Sequence, residues 1–330
     1  MVEAVFNNIR SKILKELDNA KSSISIAMYW FTNEELFNKL MNCLLKGVKI
    51  DLIIHNDYIN NRSSGLNFRS FIKSGGQFYF STSLNPMHNK FCVIDDHTLI
   101  NGSYNWTYYA EDKNRENILI IKDEIEVISS FINEFSKLKK LTERIKVITP
   151  LTSFEVDEFN NLRARNYLAN DIVYQAKSTG RKEIVEDAFK IAPDNIEIQK
   201  TAFHLNLTKK YRLIHSIGSS LKGNRYLIVL PKGSFIPFTN TEIIQTSANY
   251  QRSCSCKVYY GEKNWANGNK YITSLSLHGI PPKPVGEAKM KLHFTIDIYG
   301  NLKMVKFSLD SGSSVVASAN IKGILEEVFD

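Results

Sequence analysis

The sequence predicts three consecutive architectures: an α/β domain with a mixed sheet flanked by helices, a helical connector, and an all-β sandwich. Three observations predict it. In the first part, apolar runs of strand length alternate with stretches of helical period. From about Val147 to Leu207 only helical patterns occur. From about Tyr211 onward, short alternating runs separated by turn residues take over, the spacing of an antiparallel sandwich. The expected boundaries are 1–145, 146–208 and 209–330. A chain of 330 residues is long for one ordinary domain, and 43% hydrophobic residues suffice for separate cores.

Taken in order, Val5, Ile9, Ile13, Leu14 and Leu17 recur at helical spacing, and Lys21-Ser22-Ser23 breaks that helix. Ile24 to Trp30 reads as a strand. Thr32 with Glu35 three residues on reads as a capping box, opening a helix through about Leu45 that Gly47 ends. Val48 to Ile54 is a buried strand. Asn60 to Gly65 is a polar loop before a helix near Leu66 to Ile72, and Gly75-Gly76 turns into a strand at Phe78 to Phe80. Phe91 to Ile94 is a strand buried on both faces, followed by the Asp95-Asp96-His97 turn and a strand at Thr98 to Asn101. A helix is expected near Tyr104, a strand at Glu116 to Ile121, and a long amphipathic helix at Glu124 to Leu141.

The connector carries no visible chemistry. Glu183 to Ile191, a Pro-Asp-Asn turn, and Ile196 to Leu205 read as a helix–turn–helix. Strands are expected at Tyr226 to Leu230, Cys254 to Tyr260, Tyr271 to Leu277, Lys289 to Ile298 and Leu302 to Ser308.

The formal charge is +8 and unevenly placed. Up to Ile145 there are 18 basic against 17 acidic residues; beyond it, 24 against 17. The basic excess therefore lies in the second half, which favours polyanion partners there. No apolar run approaches the length of a bilayer span, and the N-terminus does not read as a signal peptide. Cys43, Cys92, Cys254 and Cys256 are too unevenly spaced for a disulfide framework or a zinc site. A reducing cytoplasm is the expected compartment.

The chemistry concentrates between His88 and Asn105. His88 and Lys90 are two residues apart, leading into a strand, so an imidazole and an ammonium share one face. Asp95, then Gly102-Ser103 and Asn105, follow at short intervals. An imidazole can attack phosphorus or move a proton, while a lysine with Ser and Asn on the next turn can hold non-bridging oxygens. Among the seven histidines only His88 has a lysine two residues on. His55 and His97 stand at strand ends and read as structural or solvent-facing.

This segment resembles the His-x-Lys, Asp, Gly-Ser-x-Asn signature of the phospholipase D superfamily, nearest its short single-motif nucleases and cardiolipin-hydrolase-like members. Ser25 to Thr32 resembles the family's first core strand, and Asn114-Arg115-Glu116-Asn117 its downstream Asn-x-Glu-Asn; the likeness covers about residues 1 to 142. The resemblance implies that His88 forms a phosphohistidine, with Lys90 and Asn105 binding phosphate oxygens. It further implies that Ser103 supports the phosphate and its turn, that Asp95 is structural, and that Glu116 orients the histidine across the site. One motif per chain implies a homodimer in which the second His88 protonates the leaving oxygen and later activates water. No metal and no cofactor are expected.

A second resemblance covers about 211 to 315. Tyr260-Gly261-Glu262, Leu277 to Gly286 with its Gly-Ile-Pro-Pro-Lys-Pro-Val-Gly run, and Phe294 to Asp297 with Gly300 and Leu302 look like the substrate-binding β-domain of DnaK-type chaperones. No stretch of these 330 residues reads as the chaperone ATPase domain, and the residues after Ser314 are expected to be too few for a helical lid. Gly218 to Arg225, where the family lines its cleft with apolar side chains, is polar and basic here. The expectation is a binding or sensing module engaging a protein or peptide ligand, an acidic ligand or nucleic acid.

Together these features imply a metal-independent nuclease of DNA or RNA, with the architecture of a bacterial antiviral defence effector. The alternatives are a phospholipid hydrolase, which presents the same phosphodiester to His88, and a non-enzymatic binding protein with a vestigial site.

Overall fold

Lys90 opens a strand with no polar side chain inside it, and the first half of the molecule is layered around that strand. The computed structural model describes residues 1–82, 86–154 and 158–329. It divides into two compact units, Met1–Ala192 and Pro193–Asp330. The expected connector is split between them.

In the first unit the order is β1 (Val2–Val5), α1 (Ile9–Asp18), β2 (Ser23–Met28), α2 (Glu34–Leu45), β3 (Lys49–His55), α3 (Phe68–Lys73) and β4 (Gln77–Ser81). There follow β5 (Lys90–Ile94), β6 (Thr98–Gly102), α4 (Tyr108–Asp112), β7 (Ile118–Lys122), α5 (Ile125–Lys140), β8 (Glu143–Arg144), α6 (Glu158–Thr179) and α7 (Val185–Ile191). Eight strands form one mixed sheet in the order β1-β7-β6-β5-β2-β3-β4-β8. β2, β3 and β4 run parallel, as βαβ crossovers require, and the other neighbours are antiparallel.

Strand alternation sends successive side chains to opposite faces. Ile24, Ile26 and Met28 join Cys92, Ile94, Ile100 and Ile120 in a core under α1, α2 and α3. Ala27, Phe91, Val93 and Leu99 pack on the other face against Ile128 and Phe135 of α5. The expected mixed sheet flanked by helices is therefore present, with β5 buried on both sides.

Several local expectations are corrected. The stretch from Val5 to Leu17 is not one helix: Val2 to Val5 pair antiparallel with β7, and the helix starts only after Asn8, whose φ of 53° breaks the path. Thr32 does not cap α2. Asn33 does, its side chain accepting from the Leu36 amide at 3.1 Å, while Thr32 is held elsewhere. No helix forms at Tyr104, because residues 104–106 run beside the exit of β2; Thr32 and Asn33 amides both donate to the Trp106 carbonyl. The helix waits until Tyr108, capped by Thr107. Glu116 precedes its strand, which begins at Ile118. Residues 155–157 of the expected helical stretch lie outside the described residues.

Gly47 and Gly102 have clear reasons. Gly47 takes φ 88° to end α2. A Cβ on Gly102 would meet the Asn117 carbonyl oxygen at 2.1 Å, so only glycine lets β6 and the entry to β7 approach this closely.

The second unit holds α8 (Ile196–His204) and β9 (Lys210–Leu213), β10 (Ile217–Ser220), β11 (Tyr226–Leu230), β12 (Phe235–Ile236), β13 (Phe238–Gln245) and β14 (Ser253–Tyr260). It continues with β15 (Lys270–His278), β16 (Lys289–Ile296), β17 (Asn301–Ser308), β18 (Ser314–Asn320) and β19 (Leu325–Val328). Its antiparallel sheets are β11-β10-β14-β15, β13-β16-β17-β18 and a small β12-β9-β19. Inward residues such as Val258 and Leu275 meet Leu292, Phe294, Leu302 and Met304 in one core, the expected β-sandwich. All five expected strands are present; β10, β13 and β18 were not anticipated, since Gly218-Ser219-Ser220 and the polar alternation of β13 carry little apolar signal.

Asp95 shows what a motif carboxylate can do structurally. Its oxygens accept from the Lys21, Ser22 and Ser23 amides at 2.7–2.9 Å and from the Ser22 hydroxyl at 2.8 Å. Burial works against its charge, but the Ser23, Ser22 and Lys21 amides outweigh it and hold the carboxyl below its usual range. A depressed folded pKa stabilises fully above the unfolded value and is lost as pH falls through the folded one. Asp95→Ala should lose about 1–2 kcal/mol at neutral pH, and urea titrations should show that difference shrinking as the pH is brought down to about 3.

Candidate active site

Topology brings the motif together. β2 and β3 end where β5 and β7 begin and β6 ends, because β5 runs antiparallel to β2 and β6, and β7 antiparallel to β6. His88 and Lys90 enter β5, Ser103 and Asn105 leave β6, and Glu116 precedes β7, so all five reach one end of the sheet. There they line one cavity of about 840 Å³. Asp95 follows β5 at its far end and is not part of the cavity.

His88 lies just before the strand rather than in it, yet the ring still meets Lys90. Lys90 Nζ is 3.4 Å from both ring nitrogens and donates to the His88 carbonyl at 2.9 Å. Tyr29 supports both groups: its ring is 4.5 Å from the imidazole and 5.4 Å from the ammonium. Desolvation, then the charges of Lys90 and Arg163, hold the His88 pKa below the ordinary histidine range. Desolvation brings Lys90 down to about 8, against a smaller opposing pull from Glu116. At neutral pH the pair is thus a neutral imidazole beside a largely charged ammonium, a nucleophile next to a cation.

Ser103 and Glu116 are hydrogen-bonded to each other through Ser103 Oγ and Glu116 Oε2. Asn114 Nδ2 donates to the other Glu116 oxygen at 3.0 Å, and the Asn117 amide donates to Ser103 Oγ at 3.2 Å. Asn105 is buried; its Oδ1 accepts from the Trp30 amide at 3.3 Å. Asn105 is thereby fixed by the chain that follows β2, and Ser103 and Glu116 by the residues that precede β7.

The rest of the cavity was not anticipated. Trp30, His55, Asp57 and Tyr58 come from the exits of β2 and β3, and Asn161, Arg163, Asn166, Tyr167 and Asn170 from α6, a segment expected to carry no chemistry. α6 is fastened by Asp171, which is fully buried. Its carboxylate accepts from Thr32 Oγ1 at 2.6 Å and from the Tyr109 amide at 2.8 Å, which is why Thr32 is unavailable as a cap. Burial raises its pKa. The Tyr167 ring packs at a tilt 4.2 Å from Trp30, and its hydroxyl shares a 2.7 Å hydrogen bond with Thr107. Arg163 is exposed, lines the cavity, and has no hydrogen-bond or ion-pair partner among the described residues. The available signal was an acid, Asp171, inside the apolar run Leu168-Ala169 and Ile172-Val173, with Arg163, Asn166, Tyr167 and Asn170 at helical spacing from one another.

Of the two discounted histidines, His55 stacks on Tyr29 at 5.1 Å and lines the cavity, with Nδ1 3.2 Å from Ser81 Oγ. His97 is remote, its Nδ1 beside Thr98 Oγ1. Among the described residues no cluster of three or more His, Cys, Asp or Glu side chains could hold a metal ion.

The family model described as cardiolipin synthase, PLD-like domain, matches residues 13–139. The N-terminal part of this chain carries a phospholipase D-like domain. The model described as Hsp70 protein matches residues 213–323, so the C-terminal part carries a region like the Hsp70 substrate-binding domain. The phospholipase D-like domain is 34% identical over 130 residues to mitochondrial cardiolipin hydrolase of Canis lupus familiaris, covering 39% of this chain and 49% of that protein. The chain thus spans about half the length of that relative. The Hsp70-like region is 36% identical over 85 residues to the mitochondrial-type heat shock protein 70 of Encephalitozoon hellem, covering 26% of this chain and 14% of that one. Among solved structures, the phospholipase D family member Nuc from Salmonella typhimurium is 24% identical, covering 44% of this chain and 99% of that one, with a TM-score of 0.40. Among the described residues no helix is long and apolar enough to cross a membrane.

The neighbouring charges make a prediction for the phospholipase D-like domain. In NMR titrations the His88 ring should lose its proton below the ordinary histidine range and shift again near pH 8 as Lys90 titrates. Lys90→Met should raise the first midpoint and abolish the second step. Unchanged His88 titration in the variant would mean the two groups are not coupled.

Proposed function

We propose that this protein is a phosphodiesterase that cleaves nucleic acid, DNA or RNA, through a phosphohistidine on His88. The supporting observation is the composition of the cavity. Beside the His88–Lys90 pair stand Arg163, the amides of Asn161, Asn166 and Asn170, and the rings of Trp30, Tyr58 and Phe154, while among the described residues the aliphatic lining residues are only Ile59 and Ala164. Rings and amides suit the stacking faces and polar edges of bases, and the cation suits a phosphate. Acyl chains would find aromatic faces but few aliphatic side chains to pack against.

In this mechanism the neutral His88 imidazole attacks phosphorus, forming a P–N bond as the P–O bond to the leaving strand breaks. The second histidine, the partner's His88 in a homodimer, gains a proton as the substrate phosphate approaches and delivers it to the departing oxygen. It then removes one from water, which displaces His88 and restores it. Lys90 and Asn105 hold the non-bridging oxygens as charge builds on them. Ser103 fixes the turn and, with Glu116, the hydrogen-bond frame around the phosphate. Arg163 adds a cation from outside the matched domain and holds the substrate phosphate. No step uses a metal. The C-terminal unit acts as the binding or sensing module of a cytoplasmic defence effector.

A second reading, hydrolysis of a phospholipid, is favoured by the likeness to mitochondrial cardiolipin hydrolases, 34% identical over 130 residues. One set of assays separates the two. Single- and double-stranded DNA and RNA, and cardiolipin vesicles, are incubated in excess chelator with the intact protein and its variants. The nuclease reading expects chelator-resistant nucleic-acid cleavage that falls about 10³-fold or more in His88→Ala. Arg163→Ala should mainly raise KM, by about tenfold, as expected for a lost phosphate contact. Turnover of vesicles alone would establish the lipid reading. Loss of activity on chelation that added metal restores would overturn the proposed mechanism. Size-exclusion chromatography with light scattering should show a dimer, and a monomer with full activity would remove the partner's His88 from the scheme.

A further inference from the structure

Lys306 occupies a place in the second unit where a lysine is not expected. On β17 the inward positions are Leu302, Met304, Lys306 and Ser308, and all four have 0% exposure. Fully buried lysines are rare and normally lie against a carboxylate. Among the described residues no carboxylate pairs with this one. Its Nζ is instead 2.9 Å from the Cys254 carbonyl oxygen, 2.9 Å from Cys254 Sγ and 3.6 Å from Cys256 Sγ.

The arrangement spans the sandwich. Cys254 and Cys256 lie on β14 and point to one face, whereas Lys306 comes from β17 of the opposing sheet. Cys254 is half-buried, so a small oxidant can reach it, and both cysteines are free thiols. An amine held against a thiol sulfur inside a core, with no competing acid, is a pre-assembled pair of reactants rather than an ion pair.

We propose that Lys306 Nζ and Cys254 Sγ form a reversible covalent bridge through one oxygen atom, locking the two sheets together under oxidising conditions. The co-reactant is dioxygen. The thiol gives up its S–H hydrogen and the amine one N–H hydrogen; new S–O and O–N bonds form to one oxygen atom. The second oxygen atom leaves as water with both hydrogens. Sulfur and nitrogen are each oxidised by two electrons, and dioxygen takes up the four. Four thiol equivalents return the bridge to thiol and amine, leaving as two disulfides and releasing the bridging oxygen as water. The site is independent of the phosphodiesterase reading, since it lies wholly in the other unit.

The test uses the full chain, prepared without oxygen and then exposed to dioxygen, with intact-mass measurement and peptide mapping before and after dithiothreitol. The expected product gains one oxygen and loses two hydrogens, joins the peptides carrying Cys254 and Lys306, and reverts on reduction. Cys254→Ser and Lys306→Met should lose the product, and Cys256→Ser should keep it. The Cys254→Ser exchange also removes the reaction without disturbing the lysine, should Lys306→Met fail to fold. A product that only loses two hydrogens and persists in Lys306→Met is a Cys254–Cys256 disulfide and overturns the proposal. So does gain of oxygen on cysteine without a linked peptide, or no change of mass at all.

Discussion

The phospholipase D-like unit depends on one constraint: β5 is buried on both faces in the middle of an eight-stranded sheet. Phe91 and Val93 are committed to the α5 side and Cys92 and Ile94 to the other, so no polar side chain fits within the strand. Chemistry can sit only at its ends. The end where Lys90 enters meets the exits of β2, β3 and β6, and the end where Asp95 leaves meets the entry of β2. One motif is thereby divided into a reactive part and a structural part. His88, Lys90, Ser103 and Asn105 gather in the cavity, and Asp95 satisfies three backbone amides at the other edge.

A second buried polar contact sets the shape of that cavity. Asp171 could not be buried without donors, because an unpaired carboxylate in a core costs several kcal/mol or more. Thr32 and the Tyr109 amide supply them, and in doing so hold α6 over the strand ends. The helix then presents Arg163, Asn166, Tyr167 and Asn170 to the site. One wall of the cavity is thus built from residues beyond the matched family region, which ends at residue 139. Its cation adds to the field that keeps His88 neutral. The anchoring of α6 and the charge it brings to the cavity trace back to a single carboxylate.

The second unit follows the same logic of buried polarity. A sandwich core of Leu292, Phe294, Leu302 and Met304 has no use for an ammonium, yet Lys306 continues their inward row. Its hydrogen bonds to Cys254 make the polar end of the core specific, since a slip of one residue in β17 would expose the lysine and bury Phe307 in its place.

How much of this was legible in the sequence depends on the range of the interaction concerned. Local patterns carried the sheet strands, because two-residue alternation and bounding turns are properties of neighbouring residues; the spacing of His88, Lys90, Ser103 and Asn105 marked the site for the same reason. Short polar strands such as β10 and β13 escaped, since their pairing rather than their composition makes them strands. The misplaced cap at Thr32 and the misplaced helix start at Tyr104 have a shared cause: each segment was claimed by a partner far away in the chain, Asp171 for the one and the exit of β2 for the other. By itself the sequence determined which polar side chains gather around the His88–Lys90 pair and which of the apolar segments are strand or helix. Only the tertiary structure decided that α6 lines the cavity, which amides Asp95 satisfies, and that Lys306 faces two thiols. Those are outcomes of burial, where a polar group must find a partner wherever the fold places one.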